Sequence, residues 1–82
     1  MTKDKLIQIH KTTIYNRKAL RKTNKCGCFY CLEIFDPKEI EDWIDGGTTA
    51  ICPYCRIDSV LQNTKEVPVT KELLKEMHDY FF

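Results

Sequence analysis

A chain of 82 residues is long enough for one small domain, and its apolar fraction of 43% excludes a disordered one. No apolar run approaches the ~20 residues that a membrane-spanning helix needs, so no membrane partner is expected. The formal net charge of +1 hides a split: residues 1–25 hold eight basic groups against Asp4 alone, a net +7, while residues 26–82 hold five basic and eleven acidic groups, a net −6.

The chain starts Met1-Thr2-Lys3-Asp4-Lys5, with no apolar signal segment, which points to a cytoplasmic protein with reduced thiols. Leu6-Ile7-Gln8-Ile9 is too short to assign, and His10 after it reads as a surface or capping residue. Thr12 or Thr13 is expected to cap a helix running to about Lys22. Its apolar face is narrow, made of Ile14 and Leu20, and Arg17, Lys18, Arg21 and Lys22 form a basic side. A helix of this length is marginal alone and must lean on the rest of the chain. The basic arm of residues 1–25 is thus expected to pack as one domain with residues 26–82. Its charge has two readings: it neutralises the acidic body, or it contacts an acidic partner such as nucleic acid.

Thr23-Asn24-Lys25 breaks the chain before Cys26-Gly27-Cys28-Phe29-Tyr30-Cys31, which is answered by Cys52-Pro53-Tyr54-Cys55. Two Cys-x-x-Cys pairs separated by 20 residues read as one four-thiolate site, with Cys28, Cys31, Cys52 and Cys55 as ligands and Zn2+ as the ion. A two-residue gap lets one tight turn aim two sulfurs at one point, and two such turns close a tetrahedron. Iron is the competing ion, since four thiolates suit it as well. A redox Cys-x-x-Cys needs only one pair within βαβ units. Cys26 is the odd thiol. A tetrahedral site takes no fifth ligand, so Cys26 reads as a small buried apolar residue, with an exchange of roles between Cys26 and Cys28 as the alternative.

Leu32, Ile34 and Phe35 read as a strand. Asp36-Pro37-Lys38-Glu39 is a helix start with a capping box. Ile40, Trp43 and Ile44 mark one apolar face of that helix, and Gly46-Gly47 end it. Trp43 is expected to anchor the core. Thr48-Thr49-Ala50-Ile51 is a short strand into the second pair. Ile57, Val60 and Leu61 have helical spacing, which would place Cys52 and Cys55 at a helix start and give a treble clef; a strand there would give a zinc ribbon. After a loop at 62–69, Thr70 caps a last helix, with Val69 stapled to Leu74 and Leu73, Leu74, Met77 and Phe81 buried. His78 falls beside that stripe and reads as a partly buried, hydrogen-bonded residue. The apolar Tyr80-Phe81-Phe82 tail either folds onto the core or contacts a partner.

From about His10 onward the chain resembles a family of small bacterial proteins labelled "cytoplasmic protein". The residues that carry the resemblance are Cys26 to Cys31, Ile40-Glu41-Asp42-Trp43-Ile44-Asp45, Cys52-Pro53-Tyr54-Cys55 with Ile57-Asp58-Ser59-Val60, and Thr70-Lys71-Glu72 leading to Met77-His78. Gly is usual in the family at the position of Arg56, a departure that bears on whether the chain turns through positive φ after Cys55. The resemblance implies a cytoplasmic zinc-site protein and supplies no activity.

The expected fold is a small α+β zinc-stabilised domain with a treble-clef or zinc-ribbon-like core and two to three short helices. The expected function is that of a small adaptor with a structural zinc site and a protein partner. The alternative is nucleic-acid binding through Arg17, Lys18, Arg21 and Lys22. Catalysis is disfavoured, because a four-Cys site is closed to water and no His lies between Cys31 and Cys52; only a meeting of His10 and His78 would serve an enzyme.

Overall fold

The computed structural model of the protein describes residues 2–82. It begins with helix α1 (Lys3–His10), over the stretch that the sequence left unassigned. The Thr2 side chain caps it by accepting from the Lys5 N–H at 3.3 Å, and Asp4 sits in its first turn, where the helix dipole favours negative charge. Leu6 and Ile9, one turn apart, face inward and are buried.

The helix expected from Thr12 or Thr13 to Lys22 is broken. Residues Lys11–Thr13 form a 3-10 turn, Ile14 is extended, Tyr15 turns through a φ of 52°, and only Arg17–Arg21 make helix α2. The cause is Asn16. Its buried side chain donates to the Val60 carbonyl at 3.0 Å and accepts from the Ala50 N–H at 3.2 Å, and the Tyr15 N–H donates to Thr49 Oγ1 at 2.8 Å. These bonds to distant strands outbid the local helix. Leu20 is buried as expected, but Ile14 is 49% exposed and belongs to no apolar face.

The centre of the fold is a three-stranded antiparallel sheet of β1 (Cys26–Cys28), β2 (Ile34–Phe35) and β5 (Val60–Gln62), in the order β2-β1-β5. Cys26 pairs with Phe35 on one side and Gln62 on the other, and Gly27 pairs with Ile34 and Leu61. Side chains alternate across the sheet. Gly27 and Leu61 face one apolar cluster, in which Leu6, Ile9 and Phe29 meet Val69, Leu73, Leu74 and Met77. Gly27 must be glycine, because a Cβ there would lie 2.8 Å from both Leu74 Cδ1 and Val69 Cγ1. Cys26, Cys28 and Val60 face the second cluster, with Leu20, Phe35, Ile40, Ala50 and Cys52.

The helix expected from Asp36 to about Asp45 is also corrected. The capping box is present: the Asp36 N–H donates to Glu39 Oε2 at 3.0 Å, and Asp36 Oδ1 accepts from the Lys38 N–H at 2.9 Å. It starts only a 3-10 turn, Pro37–Glu39. The chain then extends into a hairpin of β3 (Trp43–Ile44) and β4 (Thr49–Ala50), registered Trp43 to Ala50 and Ile44 to Thr49. The spacing of Ile40, Trp43 and Ile44 fits one helix face, yet Ile40 is buried, Trp43 half-buried and Ile44 exposed. Gly46 and Gly47, read as a helix end, supply positive φ at the hairpin tip.

The last element matches the expectation except at Phe81, which is half-buried. Helix α3 (Lys71–Phe81) is capped by Thr70, whose side chain accepts from the Leu73 N–H at 3.1 Å, and it buries Leu73, Leu74 and Met77. No described helix is long and apolar enough to cross a membrane.

Candidate metal centre

Each Cys-x-x-Cys stretch folds into the same turn. In the first, the Leu32 N–H donates to the Cys28 carbonyl at 2.8 Å, the Cys28 N–H to the Glu33 carbonyl at 2.9 Å, and the Tyr30 N–H to Cys28 Sγ at 3.3 Å. In the second, the Arg56 N–H donates to the Cys52 carbonyl at 2.9 Å, the Cys52 N–H to the Ile57 carbonyl at 2.9 Å, and the Tyr54 N–H to Cys52 Sγ at 3.4 Å. The residue after each second cysteine takes positive φ, 66° at Leu32 and 68° at Arg56. The turn that glycine would favour is therefore made here with arginine.

The two turns bring four sulfurs together. Cys28 Sγ lies 3.5 Å from Cys55 Sγ and Cys31 Sγ lies 3.7 Å from Cys52 Sγ, and all four lie within 4.8 Å of one another. A disulfide would need about 2.05 Å, and all five cysteines are free. Sulfurs placed about 2.3 Å from a central zinc at tetrahedral corners stand about 3.8 Å apart. The cluster has that size, and the donor set is the soft one that zinc and iron share. Cys28, Cys31, Cys52 and Cys55 could therefore hold a metal ion such as zinc. The N–H groups of Tyr30 and Tyr54 already point at Cys28 and Cys52, where they would support thiolate charge.

Ser59 adds a partner that the sequence did not reveal. Its oxygen lies 3.0 Å from Cys28 Sγ, and it is 2% exposed. Burial acts to raise the Cys28 thiol, but the bonds from Ser59 and from the backbone at Cys31 and Tyr30 outweigh it and hold the thiol below its ordinary value. Burial pushes Cys31 up to about 11 and Cys55 well above the ordinary thiol range.

Cys26 lies outside this cluster. It is fully buried, its thiol donates to the Phe35 carbonyl at 3.4 Å, and burial pushes it up to about 12. That environment is the small apolar slot expected for it. The two histidines sit apart from the thiols. His78 Nδ1 lies 3.1 Å from the Phe29 carbonyl, and the His10 ring stacks on Phe81 at 4.2 Å between centroids.

The four basic residues of the expected contact set are not one patch. The Arg17 guanidinium lies 4.5 Å over the Trp43 ring, and its Nη1 donates to the Gly47 carbonyl at 2.7 Å, so it clamps the hairpin. Lys18 and Lys22 line an open groove with Tyr15 and Lys65. Arg21 lines another depression, beside Asp36 and Lys38. Among the described residues the ion pairs are Arg56–Asp42 and Lys75–Asp79, and neither involves residues 1–25.

In comparisons with known proteins, no protein-family model, curated protein or solved structure matches the chain.

Proposed function

We propose that the protein is a small cytoplasmic adaptor whose fold is held by one structural zinc ion on Cys28, Cys31, Cys52 and Cys55. The observation that carries this reading is the four-sulfur cluster, sized for one tetrahedral ion and built from two turns of the same hydrogen-bonding pattern. When bound, the ion would supply ligation energy and charge balance for four thiolates, and such a closed donor set keeps no position for substrate or water. The core reads as zinc-ribbon-like, because no helix begins at Cys52–Cys55 and the chain goes on instead to β5, paired with β1. The protein-binding part of the proposal rests on the aromatic end of the molecule. Tyr30 and Phe82 are 42% and 58% exposed and pack edge to face at 4.9 Å, with His78 beside them. Exposed aromatic clusters of this kind mark contact surfaces.

Elemental analysis tests the metal: one zinc per chain is expected, together with unfolding on chelation. A folded, metal-free chain, or a red iron form as the dominant cellular species, overturns the reading. In-cell crosslinking tests the adaptor role. A Tyr30→Ala, Phe82→Ala double variant should keep its zinc and melting temperature and lose crosslinked protein; unchanged crosslinks would remove the aromatic end from the proposal.

A further inference from the structure

Tyr15 is an odd residue for its position. Its φ of 52° is the left-handed region, where Gly or Asn fits and a bulky side chain is strained. The fold accounts for the backbone conformation, which turns Asn16 inward onto Val60 and Ala50. It does not account for the tyrosine, since the residue is 67% exposed.

The ring stands at one wall of an open groove of about 670 Å3. The other lining groups are Lys18, Ala19, Lys22 and Thr23 from α2 and the segment after it, and Asn63, Thr64 and Lys65 beyond β5. Three lysines thus line one concavity whose lining holds no acidic residue. Among the described residues none of the three is in an ion pair. The nearest acidic residue in sequence, Glu66, lines a different depression with Glu72 and Glu76. A net −6 over residues 26–82 leaves many carboxylates elsewhere, so this groove is a local concentration of positive charge on a nearly neutral protein.

From this we propose that the groove between α2 and the segment after β5 binds single-stranded nucleic acid, with Lys18, Lys22 and Lys65 on phosphates and the Tyr15 ring under a base. Lysine groups in a concave track hold a phosphate backbone without reading sequence, and a rigidly held aromatic gives every base a stacking face. Thr23, Asn63 and Thr64 offer hydrogen-bonding groups for sugars and phosphates. The set differs from the one legible along the basic helix: Arg17 and Arg21 leave it, and Tyr15 and Lys65 join it. The proposal shares no residue with the thiol cluster or the aromatic end, so it stands or falls separately from the adaptor reading.

The experiment uses the full chain, metal-loaded, with labelled oligo-dT and oligo-U about 12 nucleotides long. Anisotropy is followed from about 50 to 200 mM salt. Three phosphate contacts predict a slope of log affinity against log salt of about −2, and Lys18→Ala, Lys22→Ala and Lys65→Ala should each flatten it by about 0.7. Tyr15→Gly should weaken binding by roughly tenfold while raising the melting temperature, because it relieves the strained φ. Tyr15→Phe should keep the affinity. A Lys3→Ala, Lys5→Ala control, outside the groove, should change it by less than about twofold. No binding at the lowest salt, a triple lysine variant with unaltered affinity, or tighter binding to duplex than to single strand overturns the proposal. Undiminished binding by Tyr15→Gly, or equal competition by inorganic polyphosphate, removes base stacking and with it the nucleic-acid assignment.

Discussion

The two faces of the central sheet carry two kinds of core. On the face that meets α1 and α3, the buried side chains are large: Leu6, Ile9, Phe29, Leu61, Leu73, Leu74 and Met77, with Val69. On the other face three of the eight buried residues are cysteines and a fourth is Ala50. Apolar burial gives about 25 cal/mol per Å2, so side chains this small return little of it. The first face is of the kind that packing alone sustains. The second gives half of its buried positions to thiols and Ala50, beside Leu20, Phe35, Ile40 and Val60, and part of its stability is expected to come from ligation, on the order of 10–16 kcal/mol of apparent binding for a structural zinc. A small domain that splits its core in this way needs both halves, because neither has area to spare.

Substitutions that separate the two faces test this division. The largest effect is expected from Cys52→Ser, which removes one ligand and should abolish metal binding and the cooperative fold together; metal content and circular dichroism report on it, and a folded, zinc-free variant would show that the thiol face also stands by packing. Leu74→Ala should cost about 2–5 kcal/mol in urea unfolding and leave one metal per chain. Loss of metal at equal folded fraction would mean that the faces are coupled through Gly27, on which Leu74 rests. Asn16→Ala should cost about 2–3 kcal/mol, because it strips partners from the buried Val60 carbonyl and Ala50 N–H. A smaller loss would mean that water replaces the amide.

A milder effect is expected from Cys26→Ala. A thiol raised from 9.0 to about 12 by burial stays neutral in the fold, so its contribution is present below pH 9 and is lost as pH rises toward 12. Wild type should lose stability over that window, and Cys26→Ala should lose less; equal alkaline slopes would place the titration elsewhere. The smallest change is Arg56→Gly. Relief of its φ of 68° should stabilise by roughly 0.5–1 kcal/mol. The exposed Arg56–Asp42 pair at 2.5 Å offsets little of that. A fall in melting temperature would give the pair more weight than its exposure suggests.

The sequence was most legible where chemistry is local. The two knuckles, the Thr70 cap and the Asp36–Glu39 box each depend on residues five or fewer positions apart, and each is present. Legibility failed where distant groups decide. Ile40, Trp43 and Ile44 fit a helix, but pairing of Trp43 with Ala50 takes that backbone for a hairpin. The basic helix loses its first turn to Asn16, whose partners lie at Ala50 and Val60. Helix α1 shows only Leu6 and Ile9 on its inner face, a pattern too short to stand out before Phe29 and α3 supply the surface it covers. The candidate metal centre was therefore readable almost whole, with Ser59 missing from it, while the four basic residues of the helix part company, Lys18 and Lys22 lining a groove with Lys65 from the far side of β5 and Arg21 lining another.

The likeness of the two knuckles bears on how the chain assembles. Each turn closes through bonds between Cys28 and Glu33, or Cys52 and Ile57, without help from the other. Either one is a complete half of a chelate that can form early, since contacts over five residues close quickly and at small entropic cost. Ion capture can then begin at either turn, and joining the two across the intervening 20 residues becomes the later, slower step. An ion held by one turn alone would not distinguish the second turn of its own chain from that of a neighbour. Dilute refolding with a full equivalent of metal favours intramolecular closure, and concentrated refolding with half an equivalent favours a metal-bridged pair.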